Sequence, residues 1–157
     1  MSPGKHESYL SKHRFFKDFD RSYLKVLADH AVEKGFRRGE RVSAQDDVAS
    51  SFFLILEGEM EVQIPSIYGP PIVVQTLAKD DILGWSWLIP PYKWHFEAKA
   101  SEDTRVLEFN GEDLRARCEE DPKMGYELMK HFAGLMADRV QAARMRVLEV
   151  CGPAEAV

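Results

Sequence analysis

All three tryptophans of the chain fall within ten positions, in Gly84-Trp85-Ser86-Trp87-Leu88-Ile89-Pro90-Pro91-Tyr92-Lys93-Trp94-His95-Phe96. Residues of these types can hold a small molecule. Indole faces stack on a planar ligand, although each indole offers one N–H donor and neither acceptor nor charge. The Gly84–Ser86 amides, at the start of a short helix, would donate to an anion. Lys93, His95 or Lys99 would supply positive charge. The candidate ligand-binding set is therefore Gly84, Trp85, Ser86, Trp87, Trp94, His95 and Lys99. The same cluster also reads as plain packing, because aromatic side chains mostly fill cores. Pro90-Pro91 breaks the periodicity, so the inward-facing subset stays open.

Other reactive types are scattered. His6, His13, His30, His95 and His131 lack the closely spaced His-x-His plus glutamate of a metal-binding barrel. His95 and Glu97 come nearest, since strand alternation puts both on one face; a cupin-like metalloenzyme is kept as an alternative, and a surface pair is the plainer reading. Cys118 and His131 lack the third orienting group that a nucleophilic pair needs. No paired acid and base or phosphate loop stands out, so no catalytic residue, metal or cofactor is assigned and the chain reads as a non-enzyme. Arg37, Arg38 and Arg41 form a small basic cluster of the kind found in solvated turns. Arg139, Arg144 and Arg146 are placed opposite or at the edge of an apolar helical stripe, where they suit salt bridges across a dimer.

The elements that position these residues run helix, strands, helix. Residues 1–8 are polar and expected to fray. Phe16, Phe19, Tyr23, Leu24, Leu27, Ala28 and Ala31 recur at three and four, a helical stripe with Asp20 as N-cap, ending near Gly35. From Phe36 the period becomes two. Phe52–Leu56 and Met60–Ile64 read as a hairpin turning at Glu57-Gly58-Glu59. Further strands are expected at 72–77, 96–100 and 105–109, and many short strands suggest an antiparallel barrel or jelly roll. Asn110 or Gly111 caps a short helix, and Asp121-Pro122 opens a longer one that stops at Cys151-Gly152-Pro153. Leu128, Phe132, Leu135, Met136, Val140, Ala143, Val147 and Val150 form its stripe. At about 29 residues it is ~43 Å long, more than a small barrel can bury, so the same helix of a second subunit is the expected cover.

The 157 residues suit a single domain, 1–157, with a helical element 1–35, a β-roll 36–110 and helices 111–151. A net charge of −5 argues against a globally basic nucleic-acid binder. Two cysteines are too few for a disulfide scaffold. No apolar run nears the ~20 residues that span a bilayer, and the polar start lacks a signal peptide's apolar stretch. The expected location is the cytoplasm, with no membrane contact.

Three segments in order resemble the cyclic-nucleotide-binding domain family. Gly39-Glu40-Arg41-Val42 through Phe52-Phe53-Leu54-Ile55-Leu56-Glu57-Gly58-Glu59-Met60-Glu61-Val62 looks like its opening strands. Leu77-Ala78-Lys79-Asp80-Asp81-Ile82-Leu83-Gly84 is similar to the approach to its phosphate-binding cassette, and Ala98–Leu107 to the strand pair beyond. The final helix resembles the dimer helix of catabolite-activator-type regulators. The resemblance implies a mostly-β (α+β) jelly roll with an N-terminal helix and a long C-terminal helix.

The departures bear on function. The family's cassette glutamate falls at Trp85 and its phosphate-binding arginine at about Trp94. An indole cannot make arginine's bidentate charged contact with phosphate, and two such losses weigh against ordinary cAMP or cGMP binding. Asp46 and Asp80 stand where the family favours glycine, and aspartate tolerates left-handed turns. The expected function is a stand-alone regulatory or sensory module that takes a non-standard small ligand or none. It would be homodimeric through residues 122–150, with occupancy of the cassette shifting the final helix. The alternatives are a ligand-free adaptor for a protein partner and a genuine cAMP or cGMP regulator. With 151–157 alone beyond the helix, no helix-turn-helix and no direct DNA binding is expected.

Overall fold

The computed structural model describes residues 3–152. Two helices, α1 (Pro3–Lys12) and α2 (Arg21–Asp29), precede eight strands: β1 (Ala31–Phe36), β2 (Arg41–Ser43), β3 (Ser51–Glu57), β4 (Met60–Ile64), β5 (Ile72–Leu77), β6 (Ile82–Leu83), β7 (Glu97–Ala100) and β8 (Thr104–Asn110). Helices α3 (Gly111–Glu120) and α4 (Pro122–Cys151) follow. The strands form two antiparallel four-stranded sheets, ordered β1-β8-β3-β6 and β2-β7-β4-β5, which face each other as a jelly roll.

Local chemistry sets the boundaries. Asp20 caps α2 by accepting from the Ser22 amide at 2.9 Å, and Asn110 caps α3 through the Asp113 amide at 3.1 Å. Pro122 opens α4, whose Asp121 cap accepts from the Met124 amide. Asp46 and Asp80 adopt φ of +73° and +72°, the left-handed conformation anticipated for them.

Three expectations need correction. The N-terminal helical element ends at Asp29, not near Gly35, because Ala31–Phe36 pair with Phe109–Thr104 of β8. Phe16 and Phe19 lie in a turn between α1 and α2, where the Phe16 amide donates to the His13 carbonyl and the Phe19 amide to the Phe16 carbonyl; their spacing carries the stripe ahead of the Asp20 cap, where the helix starts as expected. Of residues 1–8, expected to fray, 3–8 begin α1, which buries His6 and Leu10, and 1–2 lie outside the described residues. The hairpin between β3 and β4 is absent, since these strands belong to different sheets. Gly58, at φ +103°, turns the chain from one sheet to the other so close to β8 that a Cβ would lie 2.5 Å from the Asp103 carbonyl. The true partner of β4 in a hairpin is β5.

Both faces of β3 are covered, so all of Phe52–Leu56 is buried. On one face the Phe16, Phe109, Phe52 and Trp87 rings stack in sequence, with the Phe109 and Phe52 rings only 2° from parallel, 4.4 Å apart. Phe132 of α4 meets Phe52 and Trp87 edge-on at 5.0 and 5.2 Å. The column ties the N-terminal turn, the roll, the tryptophan segment and α4 into one core. No helix among the described residues is long and apolar enough to cross a membrane.

Candidate functional site

The segment 84–96 leaves β6 and returns into β7. It contains turns and no helix among residues 84–96, so the short helix N-terminus anticipated at Gly84–Ser86 is not there. The backbone is pinned to the 46–49 loop by bonds from Asp46 N to Trp94 O, Trp94 N to Asp47 O and Ala49 N to Tyr92 O, at 2.7–2.9 Å. From the other side, Arg115 of α3 donates to the Trp87 carbonyl and lies 4.1 Å from the centre of the Tyr92 ring.

Five of the seven candidate residues come together. Gly84 has φ +106° and lies under the Trp94 indole. Trp94 is buried and stacks on Phe53 from inside the roll, at 6.4 Å and 19°. Trp85 stacks on the exposed His95 at 4.7 Å, and His95 Nδ1 is 3.1 Å from the buried Ser86 hydroxyl. Trp87 is not among them: it is wholly buried in the aromatic column, its indole N–H without a partner. Nor is Lys99. Alternation along β7 turns Ala98 and Ala100 inward and leaves Lys99 exposed, opposite Arg41 and Glu61. Lys93 is also exposed.

The residue missed from sequence is Arg139. It comes from α4, is 4% exposed, and lines the same cavity as Trp85, Ser86, Trp94, His95 and Phe96. Its Nη1 donates to Gln75 Oε1 at 2.8 Å and its Nη2 to the Ile82 carbonyl at 2.6 Å. Burial lowers its proton affinity, and Asp81 and Asp138 oppose that shift. Arg139 therefore does not sit opposite the apolar stripe. The spacing Leu128, Phe132, Leu135, Arg139 continues the buried stripe by threes and fours, and that was the available signal.

Between these side chains there remains a cavity of about 10 Å³. That is at most about one water molecule, whereas small-molecule sites run to hundreds of Å³. Other pairings are elsewhere engaged. Glu97 is bound to Arg41 at 2.8 Å, not to His95. His131 packs on Phe15 and Phe19, while burial pushes the Cys118 thiol up to about 11. No group of three or more metal-ligating side chains occurs among the described residues.

Residues 33–121 match the family model of the cyclic nucleotide-binding domain. The chain belongs to that family. Solved structures agree with the fold. A Geobacter metallireducens protein named as cyclic nucleotide-binding is 29% identical, with TM-score 0.76 over 89% of this chain and 98% of its own. A cyclic nucleotide-binding domain from Methylobacillus flagellatus is 18% identical, with TM-score 0.75 over 94% of this chain and 83% of its own. The regulatory subunit of a cAMP-independent protein kinase A from Trypanosoma cruzi, bound to guanosine, is 20% identical, with TM-score 0.62 over 84% of this chain and 51% of its own. No curated protein matches the chain. In this cyclic nucleotide-binding domain Trp85 and Trp94 line the cavity, and the buried guanidinium beside them belongs to α4.

Proposed function

We propose that the chain is a cytoplasmic regulatory module whose cassette is filled by its own side chains and does not take cAMP or cGMP. The carrying observation is the 10 Å³ cavity left among Trp85, Trp94 and Arg139. A cyclic nucleotide would have to expel Trp94 from its stack on Phe53 and would then meet no cassette arginine. The output element is α4. Arg139 latches its middle to β5 and β6, while Val140, Met145, Val147, Leu148 and Val150 beyond it are exposed. At 30 residues α4 is about 45 Å long. Its uncovered apolar end supports a homodimer through the same helix of a second copy, with the adaptor role as the alternative use of that face.

The deciding experiment is titration of tryptophan fluorescence with cAMP, cGMP and guanosine. The expected result is no saturable change. A saturable micromolar response to either cyclic nucleotide overturns the proposal.

A second reading rests on the lid. Trp85 and His95 form the solvent-side wall, and behind them lie the Ser86 hydroxyl and the Arg139 guanidinium. A small planar anion that swung this stack outward would reach both groups. The guanosine-bound relative supports the idea that this fold accepts ligands without a cyclic phosphate. A saturable response to such a compound, with silence toward cyclic nucleotides, selects this reading.

A further inference from the structure

A separate concavity of about 600 Å³ lies between α1 and the turn that joins β5 to β6. Its walls carry Lys5 and Lys12 from α1, Arg14 just beyond it, and Lys79 from the turn. Four cations thus converge in a chain whose net charge is −5. Lys5, Tyr9 and Lys12 recur at four and three, so one face of α1 presents them together.

A carboxylate, Asp80, also lines the concavity, and among the described residues only Arg14 of the four cations is paired with one. Asp80 accepts from the Tyr9 hydroxyl, and Asp81 is held by Arg14 at 2.7 Å and by the Ala78 amide. None of the ion pairs found among the described residues includes Lys5, Lys12 or Lys79.

The walls are fixed in place. His13 Nδ1 accepts from the Phe15 amide at 3.0 Å, which leaves the proton on Nε2 to donate to the Asp80 carbonyl at 2.8 Å. That imidazole therefore clamps α1 to the turn and is not free for a ligand. Asp80 itself holds a left-handed conformation at φ +72°.

From this juxtaposition we infer a second binding site, for a soluble phosphate-bearing small molecule with at least two negative charges. The volume falls inside the roughly 300–1,000 Å³ usual for small-molecule pockets. Three ammonium groups without a carboxylate partner suit a polyanion, since ammonium–phosphate contacts are charge-assisted. Concavity favours a free molecule over a flat membrane surface. The site has none of Trp85, Trp94 or Arg139 in its walls.

The test is an amide NMR titration of the full chain with pyrophosphate and with ATP at physiological salt, alongside sedimentation with vesicles containing a phosphoinositide. Saturable shifts confined to residues 5–14 and 78–81, with none at 85–95, are expected for both soluble probes. Lys12→Glu with Lys79→Glu should weaken binding by at least about tenfold, while Lys123→Glu on α4 should leave it unchanged. Both charged positions are exposed, so the double variant should keep the wild-type amide spectrum away from the site. Shifts spread over lysines across the surface, equal loss in the Lys123 variant, or binding to vesicles alone would each overturn the inference.

Discussion

The Trp94 indole and the Gly84 backbone occupy one another's space: a Cβ added at position 84 would lie 2.7 Å from Trp94 Cη2. Glycine is thus required twice, for its φ of +106° and for the ring above it. Gly84→Ala should destabilise the protein by about 1–3 kcal/mol from backbone strain alone, and more if the indole is displaced. Trp94→Ala should cost about 3–5 kcal/mol as a core truncation. Urea unfolding followed by circular dichroism reads both. A Gly84→Ala variant as stable as wild type would mean that the ring does not rest there.

Arg139 holds α4 through one side-chain and one backbone acceptor, both inside the roll. Arg139→Met keeps much of the stem but leaves the Ile82 carbonyl and Gln75 without their donor. The expected loss is about 3 kcal/mol, in the range for buried hydrogen bonds to a charged group. Hydrogen exchange should quicken in the second half of α4 before it changes in β3. Uniform acceleration across the molecule would show that the arginine supports the whole fold and does not act as a local latch.

Burial lowers the His13 pKa, with Arg14 acting in the same direction and Asp80 and Asp81 opposing it. The folded state therefore favours the neutral ring. Its contribution to stability is present above the unfolded histidine value of about 6.5 and is lost as pH falls through the lower folded value. Wild type should lose more melting temperature between about pH 7.5 and pH 5 than His13→Asn does. Equal losses in the two proteins would remove His13 as the cause.

Cys118 and Cys151 should separate on alkylation. Burial first, then Asp121 and Glu119, push the Cys118 thiol from 9.0 up to about 11. Its thiolate fraction near neutrality is then roughly a hundredfold below that of an unshifted thiol. Cys151 is exposed and should be carbamidomethylated first by iodoacetamide, as seen by peptide mass spectrometry. Simultaneous labelling of both would show that α3 opens easily.

If α4 is the self-association surface, Val140→Asp with Val147→Asp should convert a sedimenting dimer to monomer without loss of helicity. Both side chains are more than half exposed in the isolated chain, so their replacement leaves its core untouched. A wild-type protein that sediments as a monomer would leave the apolar end to a different partner.

Local signals carried much of this architecture into the sequence. The caps at Asp20, Asn110 and Asp121 are short-range hydrogen-bonding chemistry and were legible, whereas the change of period was read at Phe36, where β1 ends, and not at Ala31, where it begins. The β3–β4 connection was not legible. A glycine turn between two apolar strands looks the same whether the strands pair or part, and only the close approach of Asp103 and Thr104 to Gly58 decides it. The tryptophan cluster was visible, but its division was hidden: Trp87 joins the aromatic column, Trp94 stacks on Phe53 and the half-buried Trp85 stacks on His95. A proline pair and a run of turns leave no period from which to assign faces. Lys99 was grouped with the segment by its charge alone, although alternation along the expected 96–100 strand turns it outward between Ala98 and Ala100. Arg139 was overlooked because an arginine on an apolar stripe reads as solvent-facing unless the stripe's spacing is followed through it.

The fit between Gly84 and Trp94 also sets what a phosphate-binding redesign of this pocket would meet. An arginine placed at position 94 would forfeit the stack on Phe53 and bring a cation into a space of about 10 Å³ beside Arg139. A carboxylate placed at position 85 would remove the indole that stacks on His95. Each single change passes through a weakened protein, so charged phosphate recognition would have to be built here by several substitutions made together.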